Sequence, residues 1–214
     1  MVIPVNVQLP PGQRATTLTV TNQGNSETAI QIRAYAWNQQ EGTDQLTTSD
    51  AVLVSPPLTT IAAGATQIVR LILRQQPKER EATYRILVDQ IPPPAEPGVV
   101  HVVLRLSIPI FAQPVNRVVQ HIQFHVECNA GGVYLVALNE GGRHDAIRDV
   151  VLVTSDGRKL TAAVNKSPYI LAGATRRWPI TTQGSLPLPS ETLRLTAHAD
   201  SSVIEQQVSV VNIP

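Results

Sequence analysis

The sequence predicts an all-β protein made of two antiparallel β-sandwiches, and three features predict it. Apolar and polar residues alternate in short runs, turn residues close a run about every 8–15 residues, and helical periodicity is nearly absent. Apolar residues make up 43% of the 214 and charged residues 15%, a globular rather than a disordered balance. Aromatics are only 4%. The cores must therefore come from Val, Leu and Ile, types that suit a pleated, half-buried surface.

The chain opens MVIPVNVQLPPG, already alternating like a strand. TTLTVTN (16–22) follows and closes at QGNS; TAIQIRAYAW (28–37) closes at NQQEGTDQ, which reads as a turn. TQIVRLILR (66–74) is preceded by IAAG, and ATYRILVDQI (82–91) runs into a proline cluster. The next stretch, VVHVVLRLSIPIF (99–111), has one wholly aliphatic face: Val100, Val102, Leu104, Leu106, Ile108 and Ile110. Its other face is mixed and carries Pro109, which cannot donate to a ladder and so marks a sheet edge. At AQPVNRV (112–118) the rhythm resets, which divides the chain into domains 1–114 and 115–214. A second series then runs through VVQHIQFHVE (118–127), VYLVALNE (133–140) and 145–164, whose SDG (155–157) reads as a hairpin turn. LRLTAHAD (193–200) and VIEQQVSVVNI (203–213) complete it.

The composition excludes several functions. A formal net charge of +1 gives no reason to expect nucleic acid or an anionic membrane surface. No run approaches the roughly 20 apolar residues of a membrane span, and no leader-like segment stands at the start. The single cysteine, Cys128, rules out an intrachain disulfide and reads as a small hydrophobe. Motifs for nucleophilic, phosphate-binding or metal chemistry are missing, so no enzyme and no cofactor are expected. His121 and His125 share a strand face about 13 Å apart, too far to hold one metal. Arg70, Arg85 and Arg105 interrupt apolar strands; each alone reads as a guanidinium on a wet sheet face. Arg85, flanked by Tyr84 and Ile86 with Glu81 nearby, is also placed to grip a carboxylate in bidentate fashion.

VSPPLTTIAAGATQIVRL (54–71), REATYRILVDQIPP (80–93) and VLRLSIPIFAQP (103–114) resemble the first domain of the periplasmic pilus-assembly chaperones of the chaperone–usher pathway. The resemblance covers essentially the whole chain, with specific motifs in the first domain and vague ones in the second. It implies two immunoglobulin-like domains in an L or boomerang arrangement and a non-enzymatic role in the periplasm. The implied partners are pilin subunits that lack their last strand and an outer-membrane usher that receives them. Val100, Val102, Leu104, Leu106 and Ile108 match the donor strand such chaperones lend to a subunit. A free donor edge also suggests self-association. The SIPIF form resembles the archaic branch, which handles spore-coat-like pilins. Two basic residues that anchor the subunit's terminal carboxylate in other members are replaced here by Pro109 and by Asn6 or Val7, which leaves Arg85 as the candidate anchor. Arg70 and Glu81 match members of an interdomain charge cluster whose third member, an aspartate of the second domain, has only Asp200 as a candidate. The loop QIPPPAEPG (90–98) suits a long hairpin between the last two strands. A structural or adhesive two-sandwich module is the alternative, favoured by exposed aromatics; a dismutase-like metalloenzyme needs clustered histidines.

Overall fold

The computed structural model contains no α-helix among its described residues, which are 1–94, 98, 101–164, 167–181, 187, 189–200 and 202–213. The chain divides into two units, Met1–Asn38 with Gln45–Arg117, and Gln39–Asp44 with Val118–Pro214.

The first unit holds β1 (Val2–Ile3), β2 (Val7–Leu9), β3 (Ala15–Thr21), β4 (Thr28–Gln40), β5 (Thr43–Thr48), β6 (Val52–Ser55), β7 (Leu58–Ile61), β8 (Thr66–Leu73), β9 (Ala82–Ile91) and β10 (Arg105–Ala112). One sheet runs β1-β3-β8-β6; the other runs β2-β10-β9-β4-β5, with β7 also on β4. The opening segment thus serves both sheets: β1 pairs antiparallel with β3, and β2 pairs parallel with β10. Alternation sends Leu18, Val69 and Leu71 from one sheet and Ile32, Ile86 and Ile110 from the other into a shared core. Each is at most 2% exposed. Burying a side chain of that size contributes about 1.5–3 kcal/mol.

The structure shortens one expected turn and one expected strand. NQQEGTDQ is mostly strand: the turn is Glu41–Gly42, with φ of 50° and 78°. Two consecutive positive φ values match the twist of the flanking strands, so a two-residue loop suffices. The run from 99 to 111 enters its ladder only at Arg105. Within the 90–98 loop, residues 95–97 lie outside the described residues.

The second unit holds β11 (Ile122–Asn129), β12 (Gly132–Asn139), β13 (Asp145–Ala146), β14 (Arg148–Val153), β15 (Lys159–Ala162), β16 (Tyr169–Ile170), β17 (Thr175–Thr181), β18 (Thr192–His198) and β19 (Val203–Asn212). Its ladders close into a ring, β11-β12-β17-β15-β14-β18-β19, with β13 and β16 paired apart. Closure comes from a parallel contact between β11 and β19, the first and last strands of the second series. Val126, Leu135, Leu152, Leu160 and Leu195 fill the interior at 0% exposure. The SDG turn joins β14 to β15 through Gly157, φ 87°. Residues 39–44 count with this unit because Gln39 Nε2 donates to the Tyr169 carbonyl at 2.9 Å. Leu171 N–H returns a bond to Gln39 Oε1, and Arg176 Nη1 donates to the Gly42 carbonyl.

Candidate functional site

β10 is paired along one side and largely bare along the other. β9 lines it from Arg105 to Ala112, whereas β2 covers only Ile110–Ala112. Between Arg105 and Pro109 no strand among the described residues meets the second side. Gln90 N–H donates to the Leu104 carbonyl at 2.9 Å, which sets the phase of the ladder. Leu104, Leu106, Ile108 and Ile110 therefore direct their backbone groups at β9, and Arg105 and Ser107 direct theirs outward. Pro109 falls in the outward set, where its missing N–H leaves no donor stranded. The proline is tolerated because that side is an edge.

The side chains divide along the same strand. Val102, Leu104 and Leu106 are 82%, 62% and 41% exposed. Ile108 and Ile110 are 3% and 0% exposed and belong to the core. Ile108 therefore parts company with the donor residues it was grouped with from sequence. It fills its own sandwich and has no surface to lend, so the exposed series ends at Leu106. Val100 lies outside the described residues. Leu104 and Leu106 border an open cleft of about 430 Å³ whose apolar walls include Val20, Ile30, Ile61 and Val88.

The outer face of the same sheet is cationic and aromatic. Arg85 stands directly across β9 from Pro109 and across β4 from Tyr35. Its guanidinium carbon lies 3.7 Å from the centroid of the Trp37 ring. Stacking of this kind contributes about 0.5–2 kcal/mol and holds the guanidinium plane. Asn6 is exposed and Val7 is buried at 3%, so neither supplies a cation from the first strand.

Sequence reading missed one group entirely. Asp89, its side chain 14% exposed, accepts from Arg33 Nη2 at 2.6 Å and from Arg105 Nε on its other oxygen. Burial pushes the Asp89 carboxyl up, but the hydrogen bonds from Arg105 and then Arg33 outweigh it and hold the group below its ordinary value. The only local signal was an aspartate inside an apolar run, RILVDQI.

The other candidates are placed as follows. Arg70 points outward on β8 between Thr17 and Ser55, and Glu81, just before β9, is 7% exposed. Asp200 accepts from Arg148 Nη1 at 2.8 Å within the second unit. His121 and His125 each lie beside a carboxylate, Glu140 and Glu127. Among the described residues no group of three His, Cys, Asp or Glu side chains is arranged for a metal. Cys128 is half-buried, and burial pushes its thiol up, away from a reactive thiolate. Trp37 and Trp178 are both 3% exposed, so neither offers the exposed ring that an adhesive module would use. No helix among the described residues is long and apolar enough to cross a membrane.

A two-sheet first unit whose last strand is open along part of one side, followed by a second β-unit, defines a two-domain β-sandwich class of protein. Residues 1–117 match the family model "Pili and flagellar-assembly chaperone, PapD N-terminal domain", and the chain belongs to that family. It is a pilus-assembly chaperone. Solved structures agree on the fold. The CsuC–CsuE chaperone–tip adhesion subunit complex, from archaic chaperone–usher Csu pili of Acinetobacter baumannii, matches with TM-score 0.70 and 19% identity over 100% of this chain and 99% of that one. The YadV chaperone matches with TM-score 0.67 and 16% identity over 98% of both chains. The complex of SafA pilin with the SafB chaperone from Salmonella enterica matches with TM-score 0.66 and 16% identity over 96% of this chain and 94% of that one. By sequence comparison, no curated protein matches the chain.

Proposed function

We propose that this chain captures incomplete pilin subunits in the periplasm through the open side of β10 and passes them to an outer-membrane usher. The observation that carries the reading is the coincidence of a bare backbone edge at Arg105–Pro109 with exposed Leu104 and Leu106 beside an apolar cleft. A β-fold that lacks a strand exposes core and unpaired backbone together. A lent strand answers both needs, with backbone bonds along its edge and alternate side chains in the groove. Val102, Leu104 and Leu106, with Val100 by alternation, are the residues lent. Each leucine gains about 1.5–3 kcal/mol when fully buried, before association costs.

Arg85 is the proposed anchor for the subunit's terminal carboxylate. Its support is positional: the cation missing at Pro109 reappears one strand over, in direct register. Arg70 and Glu81 are assigned to domain geometry rather than to the subunit.

Co-expression with a pilin subunit tests the reading. The subunit is expected to become soluble and to co-purify 1:1, and Leu104→Asp is expected to abolish the complex while the chaperone stays folded. Undiminished capture by Leu104→Asp overturns the donor-strand role.

A further inference from the structure

We infer that Arg105, held in place by Asp89 and Arg33, sets the register of the bound strand by pairing with a carboxylate on that strand's outer face. The inference rests on the donor-strand reading and adds the chemistry of the partner at one position. Arg105 belongs to the set whose backbone groups face the bare side of β10, so a guest strand lies directly beside it. Its side chain is 64% exposed although Nε is bonded to Asp89. Asp89 is a single negative charge shared between two guanidiniums. The trio therefore carries a net positive charge, with Arg105 on β10 at the open margin and Arg33 two strands further in, on β4. A residue opposite Arg105 on the guest brings its Cβ within about 4.5–5.5 Å. Aspartate or glutamate there meets a guanidinium whose orientation is already fixed, which lowers the ordering cost of the pair.

Apolar alternation alone leaves the need for such a residue. A slip of one residue turns every guest side chain to the wrong face, but a slip of two restores the pattern. Val102, Leu104 and Leu106 are too alike to distinguish registers two apart. One charge on the opposite face does distinguish them, because the slipped guest presents a different residue to Arg105.

The experiment uses the full chain and the subunit obtained by the co-expression above, its sequence read by mass spectrometry. Wild type and Arg105→Glu are compared for subunit dissociation at low and high sodium chloride. A cysteine at 105 is cross-linked to single cysteines along the guest strand to identify its neighbour. Arg105→Glu is expected to dissociate at least about fivefold faster at low salt, with the difference narrowing at high salt. The cross-linked neighbour is expected to be acidic in the native subunit, and replacing it with arginine is expected to restore binding to Arg105→Glu. A non-acidic neighbour, absence of rescue, or equal dissociation of Arg105→Glu and wild type each overturns the inference while capture by wild type leaves the donor-strand reading standing. Failure of wild type to capture any pilin overturns both.

Discussion

At the scale of single residues, two leucine-sized side chains on one strand have opposite duties. Ile110 is fully buried and Leu106 is 41% exposed, four positions apart on the same face. Ile110→Ala removes packed core atoms and leaves a cavity, so it is expected to cost about 2–5 kcal/mol in urea unfolding. Leu106→Ala removes a side chain that is only partly buried and is expected to cost clearly less in urea unfolding than Ile110→Ala, while weakening subunit capture. Asp89 gives a pH signature. Its carboxyl is held below the ordinary value of about 3.9, so its contribution to stability is complete above that pH and is lost as acid carries the solution through the lower folded value. Wild type is expected to lose part of its stability below about pH 4 in a step that Asp89→Asn lacks. A urea series at several pH values measures the difference. The sequence placed Leu106 and Ile108 in one donor series without separating them, and it did not reveal the duty of Asp89. Leu106 and Ile108 are equivalent in an alternating string, and their difference is one of tertiary packing: Ile108 joins the core of the first unit, while Leu106 borders the open cleft. Asp89 finds Arg33 at 56 residues' separation, beyond any local pattern.

At the scale of elements, strands were readable because period-2 alternation is a local property, whereas their partners and exact ends are not. The second series illustrates this: its strands were legible, but the parallel pairing of β11 with β19 that closes the ring joins segments about eighty residues apart. The 38–45 turn was overestimated because polar composition on β5, a strand exposed along its full length, looks like loop. The segment after β12 was also opaque to sequence. Glu140 N–H donates to the His121 carbonyl and Gly142 N–H to the Val119 carbonyl, which lays 140–142 against the run before β11. A Cβ on Gly141 would lie 2.4 Å from the Val119 carbonyl oxygen and 2.6 Å from the His121 nitrogen. Both are backbone atoms and cannot swing aside, so Gly141→Ala is expected to destabilise the second unit by about 1–3 kcal/mol or more. Gly12→Ala, at a φ of 85° with nothing within 4 Å, separates backbone strain from steric clash in the same assay. Capture of subunit by Gly141→Ala is expected to persist while the chain is folded, since the donor edge belongs to the first unit.

At the scale of the whole molecule, the same features that suit the chain to capture expose it to itself. Its formal net charge is only +1, so long-range repulsion between copies is weak. An unpaired edge flanked by exposed aliphatics is a pairing template for any strand, including β10 of a second copy. Proteins usually blunt such an edge with charge or proline; here Arg105 and Pro109 do so on the outward positions, while Leu104 and Leu106 stay bare. Two copies aligned through β10 place Arg105 near Arg105 or near Ser107, pairings without an opposite charge, so the self-complex is weaker than one with a guest that supplies a carboxylate. Free protein is accordingly expected to show concentration-dependent dimerisation in analytical ultracentrifugation, and Leu106→Asp to remain monomeric at the same concentrations. Arg105→Glu is expected to shift that balance only slightly, because it exchanges one like-charge pair for another. Added pilin subunit is expected to convert the dimer into a 1:1 heterodimer, since both processes use the same edge. A dimer that persists in Leu106→Asp, or one that binds subunit without dissociating, places the self-contact elsewhere on the molecule and frees β10 from this role.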